Sequence, residues 1–378
     1  MKRIGLLLHW YQPPWQYPEM LARIATESYL PLVRVLGSPS MRASVNINYS
    51  LTEQLVRHGH EDILTGLIDA AHQGRVDFCD SAAYHPILPL VPASAVERQL
   101  SYNRSENAKV FGRSFAPDGV FPPEMAFAPS LAPLLRASGY EWAITEDVAV
   151  SVRDGSVPMD YVMDTPEGLA VPLRSNFWSN HIAFERRDGA DTARAIARAL
   201  RERFGGAPAY TIIAMDAETF GHHHAEYWRF LEDFADTIDE LPDVEMASVG
   251  DIVRTFPKIP SDVPACSWSV LPDDVRAGNP FPLWDDGSEW HRAGWELVAL
   301  AGETARRHPA LAHAFDRASS SCAFWWLSRG HWAPELATRG FKLLVDVVRG
   351  GGDDVALERA QDFYSRIAAT QTVARRAS

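Results

Sequence analysis

Short apolar runs that alternate with amphipathic stretches constrain this chain more than any other feature. Runs over 4–9, 45–49, 76–80, 119–121, 142–145 and 211–215 read as strands. Strand-like pieces follow at 161–163 and 170–174, and a last short run at 245–248. Stretches over 27–36, 51–73, 95–111, 130–138 and 190–204 have helical spacing, as does a face built from Tyr227, Phe230, Leu231, Phe234, Ile238 and Leu241. A repeated strand-then-helix order builds a parallel sheet with crossover helices. Seven or so repeats are too many for a small open sheet, so a barrel is expected. The segment 256–284 carries six prolines and little periodicity, and reads as a connector or lid. Only helix signals follow, over 288–307, 311–327, 335–349 and 355–369. The expected division is a catalytic β/α barrel over 1–256, a Pro-rich connector over 257–286 and a C-terminal helical domain over 287–378.

Composition narrows the function. The net charge is −13 over 378 residues, and no Lys/Arg cluster longer than a pair occurs. That balance argues against a nucleic-acid partner, which needs a basic face. No apolar run reaches the length of a membrane span. The basic and apolar start, Met1 to Trp10, is too short for a signal peptide and reads as a buried strand. The three cysteines, Cys79, Cys266 and Cys322, are too scattered for a disulfide framework or a CxxC site. A cytoplasmic enzyme is the expected class. Subunit number has no signal.

Parallel α/β folds carry their chemistry at the carboxyl ends of the strands. Here those ends read His9-Trp10-Tyr11-Gln12-Pro13, Asp77-Phe78-Cys79-Asp80, Phe121-Pro122-Pro123-Glu124 and Met215-Asp216-Ala217-Glu218. Glu124 and Asp216 each follow an apolar run directly. Two facing carboxylates suit glycoside hydrolysis, one as nucleophile and one as acid/base, although each also suits a helix cap. His9 and Gln12 are candidates to bond sugar hydroxyls. His85, in a Tyr-His-Pro turn, either touches substrate or locks that turn. Arg174 ends another strand and is a substrate contact, a group that holds the charge of Glu124, or a surface residue. Of His222, His223 and His224, only one fits near Asp216, because neighbours on a helix diverge. Most of the twelve tryptophans lie from Trp268 onward. Trp284 and Trp326 are the first candidates for a sugar-stacking wall.

Taken in order, these motifs resemble those of glycoside hydrolase family 57, the α-amylase, 4-α-glucanotransferase and branching-enzyme family. His9-Trp10-Tyr11-Gln12-Pro13 is similar to its first motif and Gly74-Arg75-Val76-Asp77-Phe78 to its second. Gly119 to Glu124 resembles the third, which ends in the nucleophile, and Met215 to Gly221 the fourth, which carries the acid/base. Arg75 and Asp77 stand where the family usually has Gln and Glu, Tyr11 where a second His is common, and Pro122-Pro123 where Trp-Leu and a small residue or Pro are usual. The resemblance implies an incomplete TIM-like (β/α)7 barrel with a helical domain behind the site. It implies a retaining mechanism without a metal, Glu124 as nucleophile and Asp216 as acid/base. Asp77, His85, Arg174, Glu218 and His222 then join His9, Gln12, Trp284 and Trp326 as expected substrate-binding residues, and the partner is an α-glucan or maltooligosaccharide. Two alternatives stand beside this reading. One is a metal-dependent polysaccharide deacetylase, with Asp216, His222 and His85 on one ion. The other is a sugar-binding homologue that has lost activity.

Overall fold

A computed structural model describes residues 1–377, with side chains through 369. The strand Lys2–Trp10 (β1) is buried along almost its whole length, as expected of a parallel strand covered on both faces. Around it lie Ala43–Ile47 (β2), Val76–Cys79 (β3), Gly119–Val120 (β4), Trp142–Ala143 (β5), Thr145–Glu146 (β6), Val162–Asp164 (β7), Ala170–Val171 (β8), Leu173–Arg174 (β9), Ala209–Asp216 (β10), Val244–Ala247 (β11) and Lys258–Pro260 (β12). Hydrogen bonding forms two sheets, β3-β2-β1-β10-β9-β6 with β11 also on β1, and β12-β7-β8-β5-β4. No single ladder closes on itself. Chain continuity joins the two sheets through Ile144 and Pro172. A parallel bridge between Asp80 and Val120 joins β3 to β4, with Asp80 N–H donating to the Gly119 carbonyl at 2.8 Å. With β5/β6 and β8/β9 each counted as one broken strand, seven parallel positions complete the ring.

Register sets the height of the functional residues. β1 pairs with β10 so that His9 faces Asp216, and with β2 so that His9 faces Asn46. All three therefore emerge at the carboxyl rim.

Several expected elements are subdivided. The helix expected over 51–73 is two helices, Tyr49–Arg57 and Glu61–His72. They break at Gly59, whose φ of 76° is a left-handed conformation that glycine adopts without strain. The irregular stretch after 151 contains a helix, Asn176–Glu185. The helix expected over 311–327 breaks into Ala312–Ala318 and Cys322–Trp325, leaving Ser319, Ser320 and Ser321 between them.

The segment read as a connector or lid is stitched into the fold. β12 pairs with β7. Cys266 and Phe127 exchange both backbone hydrogen bonds, at 2.9 and 3.0 Å. Beyond it, helices Glu289–Arg307 and Pro334–Gly350 face each other with apolar stripes. On the second, Ala337, Phe341, Leu344, Val345 and Val348 recur at helical spacing and are buried. Their cluster also takes in Ile87 and Ala126 from the barrel. The helical region thus packs on the two loops that carry His85 and Glu124. Among the described residues, no helix is long and apolar enough to cross a membrane.

Candidate active site

Glu124 sits in a tight turn after β4. Its φ is 60° and that of Met125 is 49°, two successive left-handed residues without glycine. Such conformations cost on the order of 1–3 kcal/mol each and persist only where the surroundings enforce them. The enforcement is visible. Pro122 and Pro123 fix the approach. Met125 and Ala126 N–H donate to the carbonyls of Pro122 and Pro123, and the Thr145 hydroxyl donates to the Met125 carbonyl at 3.0 Å.

Both carboxylate oxygens of Glu124 are engaged. The indole N–H of Trp268 donates to Oε2 at 2.8 Å, and Ser321 Oγ lies 3.2 Å from Oε1. The backbone N–H of Trp268 also donates to the Glu124 carbonyl at 3.1 Å. Burial, and then the neighbouring charge of Asp216, push the Glu124 carboxyl up to about 8, against the pull of Trp268 and Ser321.

Asp216 ends β10 and is only partly covered. Its side chain makes no hydrogen bond to any described residue, and burial raises its carboxyl, opposed by the charge of Arg174. Glu218, two residues on, is held firmly. Gln12 Nε2 donates to its Oε1 at 2.7 Å, and the Tyr29 hydroxyl donates to the same oxygen. Burial and then Asp216 raise Glu218 as well. Gly221 closes this loop at φ 136°, where an added Cβ would sit 1.9 Å from the Glu27 carbonyl oxygen.

Behind Glu124 runs a chain of buried polar groups. His9 Nδ1 lies 2.5 Å from Asn46 Oδ1, His85 Nε2 lies 3.0 Å from His9 Nε2, and His85 Nδ1 lies 2.9 Å from Ser321 Oγ. Tyr11 stacks flat on His85 at 3.9 Å. Burial lowers His9 to about 4 and holds His85 well below the usual imidazole range, so both rings are neutral. His85 itself has a φ of 63°.

The structure thus gathers Glu124, Asp216, Glu218, His9, His85 and Gln12. Arg174 lies just beneath. It is buried, paired with Glu146, and donates to the Ala214 carbonyl at 2.7 Å and to Asn180 at 2.8 Å. It is not a surface residue, and three of its five N–H donors bond the protein. Asp77 is elsewhere. Arg42 grips both its oxygens, and the Ser248 hydroxyl donates to it at 2.8 Å. Its place in β3 is level with Ser44 rather than with the rim. His222 is turned away to Glu27 at 2.7 Å, while His224 bonds the Ala183 carbonyl. Asp216, His222 and His85 do not converge, and among the described residues no three His, Cys, Asp or Glu side chains form a metal-sized group. Trp284 is fully buried in the helical core and is not a cleft wall. Its carbonyl accepts from the Trp295 indole. Trp326 is half-buried against Trp325 on the short helix that follows Ser321.

Trp268 and Ser321 escaped the sequence reading. Trp268 sits in a segment without periodicity, and a serine after two others carries no chemical signature. Asn46 and Tyr29 were passed over as ordinary strand and helix residues.

The pattern "Glycosyl hydrolase family 57" matches residues 8–261. The chain belongs to that family. It is 24% identical over 164 residues to "Alpha-amylase 1" of Dictyoglomus thermophilum, a match covering 42% of this chain and 24% of that enzyme. Its fold is similar to that of 4-alpha-glucanotransferase from Thermococcus litoralis (TM-score 0.75, 17% identity), over 92% of this chain and 59% of the other. It is also similar to the GH57-type branching enzyme from Pyrococcus horikoshii (TM-score 0.70, 16% identity), over 96% of this chain and 94% of the other. The chain therefore spans about a quarter of the amylase and three fifths of the glucanotransferase.

Proposed function

We propose that this family 57 member is a retaining enzyme acting on α-1,4-linked glucans, as a hydrolase or a 4-α-glucanotransferase. One observation carries the reading. At one barrel rim, a carboxylate held on both oxygens lies near a second carboxyl that has no hydrogen bond among the described residues. The held group, Glu124, suits a nucleophile, which must be aimed. The free one, Asp216, suits an acid/base, which must exchange protons.

Glu124 attacks the anomeric carbon. The glycosidic C–O bond breaks, and its electron pair leaves with the oxygen, which takes the proton of Asp216. Asp216 then removes a proton from water or a sugar hydroxyl, and that oxygen displaces Glu124 from the glycosyl ester. Glu218 sits next to Asp216, and burial and then the charge of Asp216 raise its carboxyl. His9, Gln12 and His85 support the carboxylates from behind. Trp326 is the remaining aromatic wall. The working unit joins the barrel (1–256), the connector (257–286) and the helical region (287–378), and unpaired cysteines suit a reducing, cytoplasmic setting.

The test incubates the protein with maltooligosaccharides and resolves products by length. Shorter products alone mean hydrolysis, and a ladder of longer and shorter chains means transfer. Wild type and Glu124→Gln giving the same products on every α-glucan would overturn the assignment.

A further inference from the structure

Ser321 belongs to the helical region, yet its polar groups reach into the barrel. Its N–H donates to the His85 carbonyl at 2.9 Å. Its Oγ stands 2.9 Å from His85 Nδ1 and 3.2 Å from Glu124 Oε1. A serine hydroxyl has one proton to donate.

The chain behind it fixes where that proton goes. Asn46 Nδ2 faces the carbonyls of Cys79 and Asp80 at 3.5 and 3.3 Å, so its Oδ1 points at His9. An oxygen there requires the proton of His9 on Nδ1. His9 Nε2 is then a lone pair, which accepts the Nε2 proton of His85. His85 Nδ1 is therefore also a lone pair, and it needs the hydroxyl proton of Ser321. With the proton spent on His85, Ser321 shows Glu124 only lone pairs, which suit a protonated carboxyl donating to Oγ. An ionised Glu124 needs the same proton, and His85 must then give it up.

We propose that Ser321 is a positioning residue whose single hydroxyl proton is contested by His85 Nδ1 and Glu124 Oε1, so that the Asn46–His9–His85 chain governs when Glu124 is ionised. The meaning for catalysis rests on Glu124 being the nucleophile, whereas the sharing itself does not. The proposal involves rotation of one hydroxyl and no covalent step.

Other groups face this cluster from each packed element. Tyr11, from the rim of β1, lies flat on His85, and its hydroxyl meets Ser320 at 2.7 Å and Cys322 at 3.5 Å. Burial pushes Tyr11 upward and Cys322 to about 12, so both stay neutral. Trp268 does not titrate, and the Arg174 guanidinium stands over its ring at 5.9 Å. Asp216 and, through it, Glu218 are the remaining groups that titrate near Glu124.

The experiment follows the side-chain nitrogens of histidine by 15N NMR across pH, in the full chain without substrate. In wild type the His85 Nδ1 resonance moves as Glu124 ionises, and its midpoint matches the acid limb of kcat/KM on a maltooligosaccharide. In Glu124→Gln the amide cannot ionise, the hydroxyl stays on His85, and that movement disappears. Asp216→Asn keeps it, at a lower midpoint. In Ser321→Ala the movement is lost, the acid limb shifts upward by about one pH unit, and kcat/KM at neutral pH falls about tenfold. Ser321→Thr restores both. If Ser321→Ala does not fold, the near-isosteric Glu124→Gln still decides. A His85 resonance that behaves alike in wild type and Glu124→Gln overturns the proposal. An active Glu124→Gln whose His85 signal is flat would instead overturn the nucleophile assignment and leave the shared proton standing.

Discussion

Trp268 holds Glu124 twice, through its indole N–H on Oε2 at 2.8 Å and its backbone N–H on the carbonyl at 3.1 Å. The first bond favours the charged carboxylate, and the second helps impose the left-handed turn. Trp268→Phe removes the first and keeps the second. We expect kcat/KM to fall by roughly 10–10²-fold, the scale of a hydrogen bond to a charged group. The acid limb of the pH profile should move upward, with thermal unfolding little changed. A pH–rate series beside a calorimetric melt measures both.

The raised Glu124 carboxyl links stability to pH. A group at about 8 in the folded chain and near its ordinary 4.5 when unfolded binds more protons folded between those values. Folding is therefore favoured most below the lower value and loses stability as pH rises towards the upper one. Glu124→Gln escapes that loss. Its Tm should exceed that of wild type by at least about 2 °C at pH 8.5 and by little near pH 4. Equal differences at the two pH values would contradict the linkage.

Arg42 ties Asp77 and Asp251 together at the far end of the strands from the site. The carboxyl of Asp251 is half-buried, yet Arg42 and the Ser248 backbone hold it well below the usual range. Arg42→Ala should cost roughly 1–2 kcal/mol of stability, seen as a Tm lower by a few degrees at neutral pH. Kinetic constants on a maltooligosaccharide should not change. A marked drop in kcat would show that this network reaches the rim.

Gly221 lets the loop after Asp216 lie directly on the backbone of Glu27. Gly221→Ala adds an atom where there is no room and at a φ that L residues avoid. The expected result is a loss of about 3 kcal/mol or more, or no folded protein. A variant that melts like wild type would mean that the loop sits further from Glu27 than described.

The barrel was legible because burial on two faces leaves long apolar runs, as in β1 and β10. The rim carboxylates were legible because the apolar runs at 119–121 and 211–215 are each followed within a few residues by an acid, Glu124 and Asp216. Whatever depends on long-range contact was not. Asp77 and His9 are both strand residues in the sequence, and only register separates the rim from the far end. Trp284 and Trp268 are both tryptophans of one aperiodic segment, yet one fills the helical core and the other holds Glu124. A rule that prizes aromatic residues cannot tell them apart. His222 follows Asp216 closely, but the turn at Gly221 carries it outward to Glu27.

The bridge between Phe127 and Cys266 and the packing of Ile87 and Ala126 under the late helices have a temporal meaning. A chain leaving the ribosome completes Glu124 and Asp216 long before Trp268 and Ser321 exist. Until the segment around Trp268 and the turn bearing Ser321 dock in their turn, Glu124 lacks these two side-chain partners. A barrel that formed before those segments were made would carry Glu124 and Asp216 at its rim with the Glu124 carboxyl unheld.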